Sequence, residues 1–316
     1  MPSMNKKLRS SLLALIAALI WGTAFVAQDV CSDSIGSMTF NALRFFVAVV
    51  FLLAVGAILR FVRAKKAARL GVPNEKTAEE KRSYRRRLVI ASVLCGSVLA
   101  AASVLQQAGL QFGTDSGKAG FITALYVVLV PICGIFLKKR VPGIFWLGVA
   151  LAVAGLYLLC VSGDFKLAFG DLLTLLCAVA FTVQILLIDR FSPGLEGVDL
   201  CCGQFIVAGI LSAAGMFLFE KPEIGAILSC ALPLLYVAIF SSGVAYLLQI
   251  LAQRGGNPSV ITIIFSLEAV FSAIASAIIL HQRMTAREYI GCVLLFAAVL
   301  IAQIPGKEEK EIPSEA

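Results

Sequence analysis

The sequence predicts an all-α integral membrane protein, with ten transmembrane helices arranged as two inverted five-helix repeats. Three observations carry this reading. First, 59% of the 316 residues are hydrophobic, only 15% are charged, and mean hydropathy is +0.93. A soluble domain of that size cannot hide so much apolar surface and keep a wetted exterior. Second, ten stretches approach or exceed the roughly 20 apolar residues that a bilayer span needs. Third, the order of helices and breaks recurs along the chain.

Taken in order, the spans are read at about 10–30, 37–60, 88–110, 117–137, 143–161, 169–189, 198–219, 231–253, 258–280 and 286–304. The first run is too long for a signal peptide, and Trp21 interrupts the small-residue pattern of a cleavage site, so it is read as an uncleaved helix. Residues 1–9 form an N-terminal segment and 10–161 the first repeat, with a basic loop at 61–87. Residues 169–304 form the second repeat and 305–316 a tail. Most remaining loops hold under a dozen residues, which leaves no room for a water-soluble catalytic domain.

The net charge of +8 follows topology rather than a nucleic-acid partner. Lys6, Lys7 and Arg9, the basic 60–87 region, Lys138, Lys139, Arg140, Arg190, Arg254, Lys307 and Lys310 fall on one side. The other side holds Lys118, Lys166, Lys221, Arg283 and Arg287. The positive-inside rule then places both termini in the cytoplasm and the protein in the cell (plasma) membrane. The 63–87 segment is read as a plain solvated loop, with contact to anionic headgroups as a secondary role. Nine cysteines and one histidine, His281, make no metal-ligand pattern, and no cofactor is expected. Most of the thiols lie in spans, where cysteine acts as a small apolar residue. Cys31 and Cys230 fall near the same side of the membrane, and His281 is read as interfacial.

The internal repeat overlays Ser103 on Ser241, Gln111 on Gln249 and Pro131 on Ala269. A slightly larger shift overlays Gly148 on Gly291. Five spans per half is an odd number, so the second half must insert upside down. In transporters with that architecture the substrate site lies near the midplane, between the halves.

The chain resembles the drug/metabolite transporter superfamily, specifically its ten-helix EamA-type carriers. The residues that carry the resemblance are Trp21-Gly22-Thr23-Ala24-Phe25, Ala42-Leu43-Arg44-Phe45, Leu129-Val130-Pro131 and Ser266-Leu267-Glu268-Ala269, with Gly148 and Gly291 opening the last helix of each half. It covers about residues 10 to 304 and makes the two repeats EamA-type units. Where the family often has Glu-Pro, this chain has Glu268-Ala269, which predicts a straighter ninth helix. The resemblance implies secondary active transport by alternating access, commonly export, of a small metabolite: an amino acid, a drug-like compound or a related amphipathic molecule.

Charges inside spans are the sharpest site candidates, since a central charge costs about 2.5–3.5 kcal/mol on insertion scales. Glu268 lies roughly 15 Å into the membrane and Arg44 about 10 Å, at 1.5 Å per residue. Glu268 could bind a cationic group or carry a proton, and Arg44 could attract a carboxylate or phosphate. The bland reading is that they pair with each other or with backbone to hold the bundle. Ser103, Gln107 and Gln111 share one helical face, with Gln106 beside it, and Tyr246, Gln249 and Gln253 share another. Such faces must turn inward, toward a solute cavity or toward helix–helix hydrogen bonds. Trp21, Gln28, Tyr126 and Gln184 are further wall candidates, and the two aromatics are suited to a planar solute. The expected partners are a small-molecule solute, membrane lipid and protons as coupling ion; the sequence leaves a homodimer open.

Two other classes compete. An integral membrane enzyme on a lipid-linked substrate needs reactive groups clustered where membrane meets water, and the loops offer only scattered acids such as Asp33, Asp115, Glu220 and Glu288. A nucleotide-sugar or sugar-type carrier of the same superfamily shares every feature above. A passive channel lacks charged rings.

Overall fold

The computed structural model describes residues 2–70, 77–114, 116–136, 143–161, 168–279 and 284–304. His281 and the tail 305–316 lie outside these. Every regular element among the described residues is helical. Long helices α1 (Pro2–Ser32), α2 (Ser37–Leu70) and α3 (Ala78–Gln111) are followed by half-length α4 (Ser116–Thr123) and α5 (Tyr126–Phe136), then by α6 (Gly143–Cys160). The second half runs α7 (Phe169–Phe191), α8 (Gly197–Phe219), the short α9 (Ile224–Ser229), and α10 (Ala231–Tyr236), which passes through a π-helical stretch, Val237–Ala245, into α11 (Tyr246–Gly255). It closes with the half-length pair α12 (Pro258–Phe265) and α13 (Glu268–Ile279), and then α14 (Ala286–Ala302). Nine helices among the described residues are long and apolar enough to cross a membrane, counting each half-length pair and the α10–α11 run as one. The tenth crossing is α14, at 17 residues.

The segment expected as a solvated loop at 61–87 is largely helix. Its Lys, Arg, Ala and Glu residues are good helix formers, so α2 continues to Leu70. α3 starts at Ala78 behind a capping box in which Thr77 and Glu80 exchange hydrogen bonds.

Contacts between the halves come in exchanged pairs. α1 packs on α11 and on α12–α13, and the counterparts α3 and α4–α5 pack on α7. α2 packs on α8, and α6 on α14. At the last of these a Cβ on Gly155 would stand 2.8 Å from the Gly291 carbonyl, whereas one on Gly148 would meet the Ala298 carbonyl at 3.3 Å. Contacts that climb α6 as they descend α14 mean the two helices run antiparallel. α2 and α8 do the same, since Gly215 sits on Met38, Gly209 on Phe46 and Gly56 on Val198. The repeats are therefore inverted about an axis through these crossings.

The fourth crossing of each half is broken, and four hydrogen bonds around each break correspond. Ala124 donates to Gly120, Leu125 to Ile122, Val127 to Ala124 and Leu129 to Leu125. Ser266 donates to Thr262, Leu267 to Ile264, Ala269 to Ser266 and Phe271 to Leu267. This correspondence pairs Tyr126 with Glu268, so the overlay of Pro131 on Ala269 does not hold. The straighter ninth helix expected without proline is not seen either. The ladder tightens at Ser266–Leu267 as it does at Ala124–Leu125, while Pro131 sits further on, inside α5.

Candidate functional site

A cavity of about 50 Å³ lies where the two halves meet. The half-helix junctions bring Thr123 and Tyr126 to it from one repeat, and Phe265 and Glu268 from the other. α1 contributes Trp21, Phe25 and Gln28; α2 contributes Arg44; α7 contributes Phe181, Gln184 and Ile185. The π-helical stretch and α11 add Ser241, Tyr246 and Gln249, and α3 adds Gln106.

The residues at equivalent positions in the two repeats touch. The Tyr126 hydroxyl donates to Glu268 Oε1 at 2.9 Å, and both side chains are buried. A carboxylate so placed has one fixed donor and leaves acceptor capacity facing the cavity. Arg44, also buried, donates from Nη1 to Gln28 Oε1 and from Nη2 to Ser103 Oγ, each at 3.2 Å. Its guanidinium lies over the Phe45 ring, 4.7 Å from the centroid. Nε of Arg44 has no hydrogen-bond partner among the described residues. No ion pair joins Arg44 to Glu268; each is held by neutral groups of its own surroundings.

The aromatic wall is edge-packed. Trp21 meets Tyr246 and Phe265 in T-shaped contacts with centroids 5.3 and 5.1 Å apart. Its indole N–H donates to the Ser241 carbonyl at 3.2 Å, a bond made within the π-helical stretch. Irregular backbone of this kind recurs at functional sites because it frees carbonyls from the helix ladder. An amide relay crosses the second half, from Gln249 to Gln184 at 3.2 Å and from Gln184 to Gln204 at 3.4 Å.

Of the residues singled out in the sequence, Trp21, Gln28, Arg44, Tyr126, Gln184, Tyr246, Gln249 and Glu268 line this one cavity. Gln107 and Gln111 lie elsewhere. Gln107 donates to the Gln28 carbonyl at 3.3 Å, and Gln111 to the carbonyls of Ser32 and Ile35 at 3.3 and 2.9 Å. Their stripe ties α3 to α1, the second of the two uses open to an inward polar face. Gln106, one position to the side, is the α3 amide that reaches the cavity, where it bonds Thr123 Oγ1 at 3.5 Å. Sequence reasoning passed over Thr123, Ser241, Phe25, Phe181, Ile185 and Phe265. Thr123 and Phe265 border the half-helix breaks, which neither proline nor glycine marks at Ala124–Leu125 or Ser266–Leu267, and Ser241 lies in the π-helical stretch, where Gly243 is the one local signal.

A polar cavity walled by aromatics, buried between two inverted halves of a multi-pass membrane protein, defines a membrane transporter for a small molecule. Comparison with known proteins specifies the class. Residues 8–161 and 168–303 each match the model of the EamA-like transporter family. The chain belongs to that family. An uncharacterized transporter of Archaeoglobus fulgidus is 32% identical over 306 residues, 95% of this chain and 87% of the relative. An uncharacterized transporter of Synechocystis sp. is 25% identical over 330 residues, 98% and 93% of the two chains. One solved structure superposes with a TM-score of 0.73 at 18% identity, covering 93% of this chain and 96% of the other, and so shares the fold.

Proposed function

We propose that the protein is a secondary active exporter of a small zwitterionic metabolite of amino-acid type, working by alternating access with protons as the coupling ion. One observation carries the reading: Glu268 and Arg44 line the same cavity without being paired. A buried charge without an opposite charge is costly, and a solute carrying both signs relieves both sites at once. The ammonium would lie against Glu268 and the carboxylate against Arg44, with the side chain on Trp21, Tyr246 and Phe265. Glu268 then alternates between proton and ammonium, which links the two flows. The Lys/Arg bias supports cytoplasmic termini in a plasma membrane, with the α1–α2 turn outside.

The test is thermal stabilisation of purified protein by an amino acid series, since a ligand that binds only the native state raises apparent stability. Each free amino acid is compared with its amide, which lacks the carboxylate, and its N-acetyl form, which lacks the ammonium. Stabilisation by at least one free amino acid but by neither derivative supports the reading. Equal stabilisation by an amide excludes the Arg44 half, and equal stabilisation by an acetylated form excludes the Glu268 half. In proteoliposomes, Glu268→Gln is expected to abolish solute accumulation against a pH gradient and to weaken solute exchange, because it removes both the proton carrier and the partner of the ammonium. Accumulation by that variant would refute coupling through Glu268.

A further inference from the structure

Cys31 and Cys230 stand in different repeats, far apart in sequence, and meet in space. Cys31 ends α1, and Cys230 is the corner between α9 and α10. Both belong to one packed cluster with Ala24, Ile35, Phe40, Leu234 and Val237, and their exposures are 0% and 3%. That cluster is the seam where α1 packs on α10, so the two thiols are buried together between the repeats. This is the topmost of three ties between the same two elements. Thr23 Oγ1 and the Tyr236 hydroxyl lie 2.6 Å apart further down, and the indole of Trp21 bonds Ser241 at the cavity. Any movement that opens the cavity between α1 and the α10–π-helical run must first part the thiols.

We propose that Cys31 and Cys230 form a reversible disulfide that staples α1 to α10 and holds this end of the cavity shut. On the topology proposed above this end faces outside, where thiols meet oxidants. The co-reactant is a low-molecular-weight disulfide. Two thiolate–disulfide exchanges form the Cys31–Cys230 bond, and the two protein thiol protons leave with the two thiols released from the oxidant. Access to the buried pair comes from α9. That helix has no buried residue, its Ile224 and Leu228 are 76% and 67% exposed, and it touches the cluster through the half-buried Ala226 and Ile227, so it can lift and uncover Cys230 at the loss of those contacts alone.

The test uses the purified full chain treated with glutathione disulfide, then denatured and alkylated. Free thiols should fall from nine to seven, and peptide mapping should find Cys31 joined to Cys230. The midpoint of thermal unfolding should rise by about 5 °C or more, because a bridge across so long a loop restricts the unfolded chain. A thiol reductant should reverse the rise, and Cys31→Ser and Cys230→Ser should not show it. Nine free thiols after oxidation, or a bridge to another cysteine, would overturn the assignment. A mapped bridge that leaves the midpoint unchanged would overturn the staple, as would a Cys31→Ser protein that stabilises as the parent does. These outcomes do not depend on the identity of the solute, so they separate from failure of the transport reading.

Discussion

Helix α2 borrows its N-cap from the other half of the protein, and a double-mutant cycle can measure the loan. Gly36 precedes α2 and has no side chain to cap it. Glu220, just past the end of α8, fills the position: one carboxylate oxygen accepts Met38 N–H at 2.8 Å, and the other accepts Thr39 N–H at 2.8 Å and the Thr39 hydroxyl at 2.6 Å. An N-cap side chain is worth about 1 kcal/mol and a negative charge at a helix start about 0.3–1 kcal/mol more. With the Thr39 hydroxyl bond added, Glu220→Ala should cost about 2–3 kcal/mol. At roughly 2–4 °C per kcal/mol for large chains, the unfolding midpoint should fall by about 4–12 °C. A Cβ on Gly36 would stand 2.2–2.5 Å from the Glu220 carboxyl atoms, so Gly36→Ala must push the carboxylate away and lose the same cap. Once Glu220 is alanine, that collision is gone, and Gly36→Ala should be nearly neutral. The cycle should therefore show a coupling of about 2–3 kcal/mol between the two sites. Thermal unfolding in detergent, followed by the fluorescence of Trp21 and Trp146, provides the assay. Strictly additive costs would refute capping in trans.

Three further outcomes follow from geometry. Gly155→Leu and Gly291→Leu should each lower stability by about 3 kcal/mol or more, because backbone stands within 3 Å of either Cβ; Gly143→Ala, with no atom within 4 Å, should change stability little, and equal losses at all three would refute the close crossing. In a cysteine-free background, Gln106→Cys and Gln249→Cys should react with a small polar thiol reagent while Gln107→Cys stays inert; reactivity at Gln107 would show that the α3–α1 seam is wet. Arg44→Lys should weaken binding of a carboxylate-bearing solute by about tenfold, because an ammonium cannot serve Gln28, Ser103 and a solute with a planar fork; undiminished binding in a thermal-shift titration would remove Arg44 from the site.

The crossings were legible because length and apolarity are read directly against bilayer thickness. The ends were less so: α2 and α3 run on into water on ordinary helix propensity, which the hydropathy edge at residues 60 and 88 does not register. The half-helix breaks were invisible, since Ala124–Leu125 and Ser266–Leu267 carry neither glycine nor proline. For the candidate site, charge pointed to Arg44 and Glu268, because a buried charge is improbable without a reason, and both line the cavity. The glutamine stripes were weaker guides. Gln107 and Gln106 are neighbours in sequence with the same chemistry, and only the rotation of α3 against α1 decides which amide meets the cavity and which meets the Gln28 carbonyl.

The meeting of Tyr126 with Glu268 has an evolutionary consequence. The two side chains occupy corresponding places in duplicated units, across the axis that relates them. A perfectly symmetric ancestor with glutamate in both units would have set two carboxylates within hydrogen-bonding distance, where one must stay protonated. With tyrosine in both, it would have had no acid at all. Divergence of the copies after fusion resolves the conflict: one keeps the acid, and the other keeps a donor of unchanging charge to orient it. A single chain can hold such a division of labour permanently. Two identical subunits cannot, because any substitution appears on both sides of the axis at once.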